Sequence, residues 1–382
     1  MLAALLIFLS MVIVSPASAL TLGVDRPEVY RTWLQGKRIG LVVNQASVSK
    51  DVHTIDKLQA DGFRIVKLYA LEHGVRGEGG AGEQIGDSVD EKTGLPILSL
   101  YGKEKKPSTQ KLAGVDVIVF DIQDVGVRFY TYISSLGLIM EAAAEQHIPV
   151  VVFDRPNPNG DYVDGPLLKK ENKSFVGAFP IPLVHGLTVG ELAGMIFGEH
   201  WQHTEGLVLH VAAMKDYAHQ TVVAPEVRPS PGLRSLHAIR IYPSIALFET
   251  AAVSLGRGTE HPYEQYGVPD RLLKKKGERI GAHTFVPHGT GKPALYEGES
   301  CQGEEFYSGD ALGLPRFTTD LFTKALRLSK ADVTDRRFLE LLVGDKRVVE
   351  QMLKGLSYEE IRRGFASELK IFSGKREKYL LY

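Results

Sequence analysis

The chain of 382 residues carries 45 Lys and Arg against 46 Asp and Glu, a formal net charge of −1, with 44% hydrophobic and 24% charged residues. That length accommodates two domains, or one large domain with an appendage, and the near-neutral balance gives no reason to expect nucleic acid or an anionic membrane surface as a partner. Cys301 is the single cysteine, which excludes an intramolecular disulfide and leaves the core alone to hold the fold.

In chain order, Leu2 to Val14 is almost continuously apolar and is followed by Pro16-Ala17-Ser18-Ala19. This reads as a secretory signal peptide over residues 1–19, cleaved after Ala19. The apolar run is shorter than the ~20 residues of a transmembrane helix, so the expectation is an exported protein, periplasmic or secreted, without stable membrane insertion. Arg38 to Asn44 then reads as a buried strand, Thr54 to Ala60 as a helix, and Arg64 to Leu71 as a second apolar strand. Pro96 to Leu100 is a short strand, Val115 to Phe120 the clearest strand, Tyr130 to Gln146 a long helix, and Pro149 to Phe153 another strand. Thr188 and Glu191 form a capping box that opens a helix to about Trp201, and Leu207 to Ala212 is a further strand. Continuous apolar strands alternating with helices predict a parallel sheet covered on both faces, a Rossmann-like α/β arrangement. Pro225, Pro229, Pro231 and Gly232 mark a connection. The reading therefore divides the mature chain into a Rossmann-like domain over residues 20–225 and a smaller α+β domain over 226–382. The latter ends in helices around Arg336–Leu342, Lys346–Lys354 and Ser357–Phe372.

Ligands of open α/β sheets bind beyond the carboxyl ends of the strands, and here each good strand runs into a polar cluster. The clusters are Glu72-His73-Gly74 with Arg76, Asp121 and Asp124 with Arg128, and Asp154-Arg155-Pro156-Asn157. A parallel sheet brings these ends to one edge. Paired carboxylates suit glycosidic hydrolysis, in which one acid donates to the leaving oxygen while an ionised partner stabilises or activates the attacker. Glu72, Asp121 and Asp124 are the catalytic candidates, and for the two aspartates hydrogen bonding of loop amides is an equal alternative. Asp154 reads as a structural or sugar-binding group. His73, Asn157 and His185 are further candidate contacts, and Tyr130, Tyr132 and Tyr263 could stack on sugar faces or simply pack in the core. No HExxH, cysteine pair, Asp-rich calcium loop, GxGxxG turn or GxSxG elbow is present, so no metal or dinucleotide cofactor is expected.

The runs LYALEHGVRGEGGAGE, TGLPILSLYG, VDVIVFDIQDVGVRFYTYI, VVVFDRPNPNGDYVDGP and SFVGAFPIPLVHGLTVGELA, with SLGRGTEHPYEQYGVP and the closing KREKYLLY, resemble the bacterial exo-β-N-acetylmuramidase family. The resemblance runs in family order from about residue 36 onward. It implies an active site in a cleft between a Rossmann-like domain and a smaller one, and release of terminal N-acetylmuramic acid from the non-reducing end of peptidoglycan fragments. The glutamate of the family's Glu-His-Gly motif, the implied catalytic acid, falls on Glu72. Phe248-Glu249-Thr250-Ala251-Ala252-Val253 departs from the family's usual Phe-Glu-Gly-Thr-Asn run. Such a substrate carries a lactyl carboxylate, for which Arg76, Arg128 and Arg257 are the bidentate candidates. Two other classes are compatible with the residues alone: a periplasmic muropeptide- or sugar-binding protein without catalysis, and a metal-assisted hydrolase of another bond.

Overall fold

The computed structural model describes residues 20–77, 86–275, 277–289 and 294–382. The apolar leader and its cleavage site lie outside them. Seven strands form one sheet in the order β5-β6-β4-β1-β7-β8-β9. They are β1 (Arg38–Val43), β4 (Arg64–Ala70), β5 (Ser88–Val89), β6 (Pro96–Ser99), β7 (Val117–Asp121), β8 (Val150–Phe153) and β9 (Leu209–Ala212), with a small hairpin of β2 (Val48–Ser49) and β3 (Val52–His53) beside the sheet. All neighbours in the sheet pair in parallel except β5, which runs antiparallel along β6 at the edge.

Strand side chains alternate between two cores, as the two-residue period requires. Ile39, Leu41 and Val43 of β1, Val117 and Val119 of β7, and Val151 and Phe153 of β8 face a cluster with Tyr30, Leu34, Ile55 and Leu58. Those four come from α1 (Pro27–Leu34) and α2 (Thr54–Ala60). Ile118, Phe120, Val150 and Val152 point the other way, into a larger core with Leu136, Ile139 and Leu192. These come from α4 (Tyr132–Glu145) and α5 (Val189–Gly198), while the short α3 (Thr109–Leu112) leads into β7. The capping box that opens α5 is present: the Thr188 side chain accepts from the Glu191 amide, and Glu191 accepts from the Thr188 amide at 2.9 Å.

The larger core continues without a break into the second half of the chain. There α6 (Leu236–Ile245) precedes a three-stranded antiparallel sheet ordered β10 (Gln265–Pro269), β12 (Cys301–Glu305), β11 (His283–Phe285). Five helices follow: α7 (Asp320–Leu328), α8 (Arg336–Val343), α9 (Lys346–Leu353), α10 (Tyr358–Arg363) and α11 (Ala366–Arg376). The single helix expected from Ser357 to Phe372 is thus two, because the chain leaves helical geometry at Phe365 after Gly364 and buries the Phe365 ring. α6 escapes the sequence reading because Pro243 lies within it, where proline ordinarily argues against a helix. Arg128 joins the two halves. Its Nη1 donates to the carbonyls of Pro166 and Ile181, and its Nη2 to those of Leu342 and Val343 at the end of α8. After α11 the chain returns to the carboxyl edge of the large sheet, where the Tyr382 hydroxyl donates to Asp154 at 2.7 Å and the Leu381 amide to Glu191 at 2.9 Å.

Candidate active site

A cavity of about 690 Å³ opens where the carboxyl ends of β4 and β7, the connection around Pro231, and α6 meet. Its volume lies in the range of sites that hold small organic ligands. The loop after β4 supplies one wall. Leu71 and Val75 are buried and fix its ends, while Glu72 between them is half-buried at the cavity surface. His73 follows with φ +75° and Gly74 with φ +80°. A left-handed, β-carbon-bearing residue costs energy that packing must supply, and such strain concentrates at functional loops. The backbone carbonyl of Glu72 accepts from the Tyr132 hydroxyl at 3.1 Å. Its carboxylate meets the Tyr101 hydroxyl, whose pKa is pushed up to about 12 by burial and then by the Glu72 charge.

The lining also carries a carboxylate that the sequence reading did not place among the site residues. Glu249 follows α6 in a turn of 3-10 helix and lines the cavity with its side chain about a third exposed. Arg257 Nη2 donates to Glu249 at 3.1 Å, the Tyr263 hydroxyl donates to the same oxygen, and the Arg257 guanidinium lies over the Tyr263 ring at 4.8 Å. Tyr263 also has a left-handed backbone, φ +62°.

An aromatic wall connects the two carboxylates. Tyr130 meets Tyr132 edge-on at 5.1 Å and Tyr242 at 6.2 Å, and Tyr242 meets Tyr263 at 5.6 Å. Burial raises the Tyr242 pKa far above its ordinary value, and the charges of both Glu249 and Glu72 raise it further. Glu72, Tyr242 and Glu249 all line the one cavity. The proline-rich connection closes the rim: the Pro229 carbonyl accepts from the Tyr130 hydroxyl at 2.8 Å and from Gln45 at 3.1 Å. Gly232 lies so close to Tyr263 that an added β-carbon would meet the ring at 2.6 Å, so only glycine lets the connection pass there.

Of the residues singled out in the sequence, Glu72, His73, Tyr130, Tyr132, Arg257 and Tyr263 line this cavity. The other seven do not, for stated physical reasons. Asp121 is fully buried beneath the sheet edge, held by Arg155 at 2.5 and 2.9 Å and by the Thr54 hydroxyl. Asp124 caps its own loop by accepting from the Gly126 amide at 2.7 Å, with His185 buried 3.6 Å away. Asp154 accepts from Thr188, Gly190, Arg155 and Tyr382. Asn157 bonds the Leu187 carbonyl and the Asn159 amide, which shapes the turn after β8. Arg76 is engaged by Asp90 at 2.7 and 3.1 Å, an interaction that lowers the Asp90 pKa to about 2. Arg128 is fully buried on four carbonyls. The strand ends do share one edge of the sheet, but Asp121 and Asp154 turn inward to satisfy neighbours. Among the described residues no cluster of three or more His, Cys, Asp or Glu side chains could hold a metal ion.

Comparison with known proteins accounts for both halves. Residues 39–237 match the N-terminal domain of exo-β-N-acetylmuramidase NamZ, and residues 240–382 match its C-terminal domain. The chain belongs to the NamZ family. A relative from Bacillus subtilis strain 168, the peptidoglycan β-N-acetylmuramidase NamZ, is 36% identical over 92% of this chain and 89% of its own length. Two DUF1343 family proteins from Bacteroides fragilis share the NamZ-type fold seen here. One has a TM-score of 0.84 at 36% identity and covers 96% of this chain and 99% of its own. The other has a TM-score of 0.82 at 28% identity and covers 96% and 100%.

Proposed function

We propose that this protein is an exo-acting glycosidase that releases N-acetylmuramic acid from the non-reducing ends of peptidoglycan fragments. The observation that carries the reading is a sugar-sized cavity whose lining holds two glutamates, Glu72 and Glu249, together with a wall of tyrosines. Family membership, with a relative that is a peptidoglycan β-N-acetylmuramidase, supports the same substrate.

In this reading Glu72 is the general acid. Its loop is fixed at both ends, its carbonyl is held by Tyr132, and its carboxylate faces the cavity beside Tyr101. Protonated, it donates to the glycosidic oxygen as the bond to the anomeric carbon breaks. Glu249 is paired with Arg257 and oriented by the Tyr263 hydroxyl, and its carboxylate is placed to oppose the positive charge that develops on the sugar. His73, Tyr132 and Arg257 contribute contacts around the ring. The mature protein acts outside the cytoplasm, in the periplasm or beyond, after removal of residues 1–19, as the apolar leader and its Ala17-Ser18-Ala19 end suggest.

The test is hydrolysis of aryl β-glycosides of N-acetylmuramic acid and N-acetylglucosamine by the mature chain. Turnover of the muramic substrate is expected. Glu72→Gln should lower kcat by about 100- to 10,000-fold with a poor leaving group and far less with an activated one. Saturable binding of muramic acid without turnover would overturn the reading.

A further inference from the structure

N-acetylmuramic acid differs from N-acetylglucosamine by a lactyl ether that carries a carboxylate, so an enzyme that tells them apart needs a cation with donors to spare. Of the three arginines that the sequence offered for this task, two lie outside the cavity and the charge of the third is already paired. Arg76 is bound by Asp90, Arg128 is buried on backbone carbonyls, and Arg257 serves Glu249 and Tyr263. Lys105 also lines the cavity, and among the described residues no carboxylate pairs with it. Its ammonium donates to the Gly102 carbonyl at 2.9 Å and lies over the Phe175 ring at 5.0 Å. An ammonium has three N–H donors, so this arrangement fixes the group and leaves donors for a ligand. Gly102 and Phe175 line the same cavity, as does Tyr101, which holds Glu72. The cation therefore belongs to the loop that also positions the acid.

We infer that Lys105 is the specificity-determining residue that receives the lactyl carboxylate, with Phe175 and Val176 offering apolar surface to the lactyl methyl. This inference rests on the muramidase reading and deepens it. It assigns discrimination between the two sugars to one ammonium–carboxylate contact in a partly desolvated cavity, where a charge-assisted hydrogen bond is stronger than one in open water.

The experiment uses full-length mature protein and Lys105→Met, which keeps the length of the side chain and its contact with Phe175 while removing the charge. Lys105→Arg is the conservative companion. Binding of free N-acetylmuramic acid and of N-acetylglucosamine is measured by calorimetry, with melting temperature as the check on folding. Lys105→Met should weaken muramic acid binding by about 10- to 100-fold and leave N-acetylglucosamine binding unchanged, and Lys105→Arg should restore most of the loss. In turnover of the aryl muramic substrate the effect should fall on KM rather than kcat. Unchanged muramic acid affinity in a folded Lys105→Met protein would overturn the assignment, as would equal losses for the two sugars. Failure of the wild type to turn over the muramic substrate would sink the glycosidase reading instead, and the calorimetry would still decide the role of Lys105.

Discussion

Replacing Arg128 by methionine separates a structural role from a substrate-binding one. The guanidinium is fully buried, and its two terminal nitrogens serve four backbone carbonyls, two of them from the end of α8. Methionine would leave those carbonyls without donors at about 1–3 kcal/mol each, roughly 8 kcal/mol in all at mid-range. Removing a buried charge gives some of this back. Burial lowers the Arg128 pKa from 12.5 to about 9, and at about 1.4 kcal/mol per unit the relief is about 5 kcal/mol. The net expectation is a loss of about 3 kcal/mol of folding stability, a large share of the 5–15 kcal/mol typical of a domain. Urea unfolding monitored by circular dichroism measures it. Gly344 provides a second check: with φ +83° and an ideal β-carbon only 2.3 Å from Arg128 Nη2, Gly344→Ala should be less damaging on top of Arg128→Met than alone. An Arg128→Met protein with wild-type stability and a raised KM would refute the structural reasoning and return this residue to the substrate.

Two further predictions concern the inward-facing aspartates. Asp121→Asn breaks a buried two-point contact with Arg155 and should cost about 3–5 kcal/mol, read as a fall in melting temperature; a stable but inactive variant would instead place Asp121 in the chemistry. Burial raises the Asp154 carboxyl from 3.8 to about 6, against the hydrogen bonds from Thr188, Tyr382 and Gly190. The folded state therefore holds this proton more tightly than the unfolded chain does. Its stabilising contribution is complete below pH 3.8 and is lost as pH rises through about 6, a change of about 3 kcal/mol. Unfolding free energies of wild type and Asp154→Asn, compared across this window, should diverge accordingly, and a constant difference would refute the assignment.

The parallel sheet was legible because its strands are buried on both faces and therefore read as unbroken apolar runs, as in Val115–Phe120. Glu72 was legible for a different reason: a charged residue directly after such a strand has to lie at the sheet's ligand-binding edge. The same logic left Asp121 and Asp154 open between a site role and a structural one, since it cannot tell a strand-end carboxylate that faces a cavity from one that turns back to a neighbour. Arg155 and Tyr382 decide that difference, and they lie 34 and 228 positions away. Glu249 stood in the sequence only within a run that departs from the family pattern, and Pro243 interrupts the helical pattern of α6 on which its placement depends. Lys105 was hidden by its surroundings in the sequence, a short basic stretch that resembles any solvated loop until Phe175 and Gly102 are seen to fix its ammonium.

The return of the chain to its own first domain has a consequence for synthesis. Asp154 and Glu191 lie within the half that emerges first, yet partners for both come from Tyr382 and Leu381, 228 and 190 positions later. Contacts that span such separations close slowly, and while the later residues are still being made those buried carboxylates lack part of their hydrogen bonding. The nascent first half then lacks the contacts from Tyr382 and Leu381 until the rest arrives. If the chain is exported as proposed, its last residues complete the hydrogen bonding of the first half only after the whole chain has emerged.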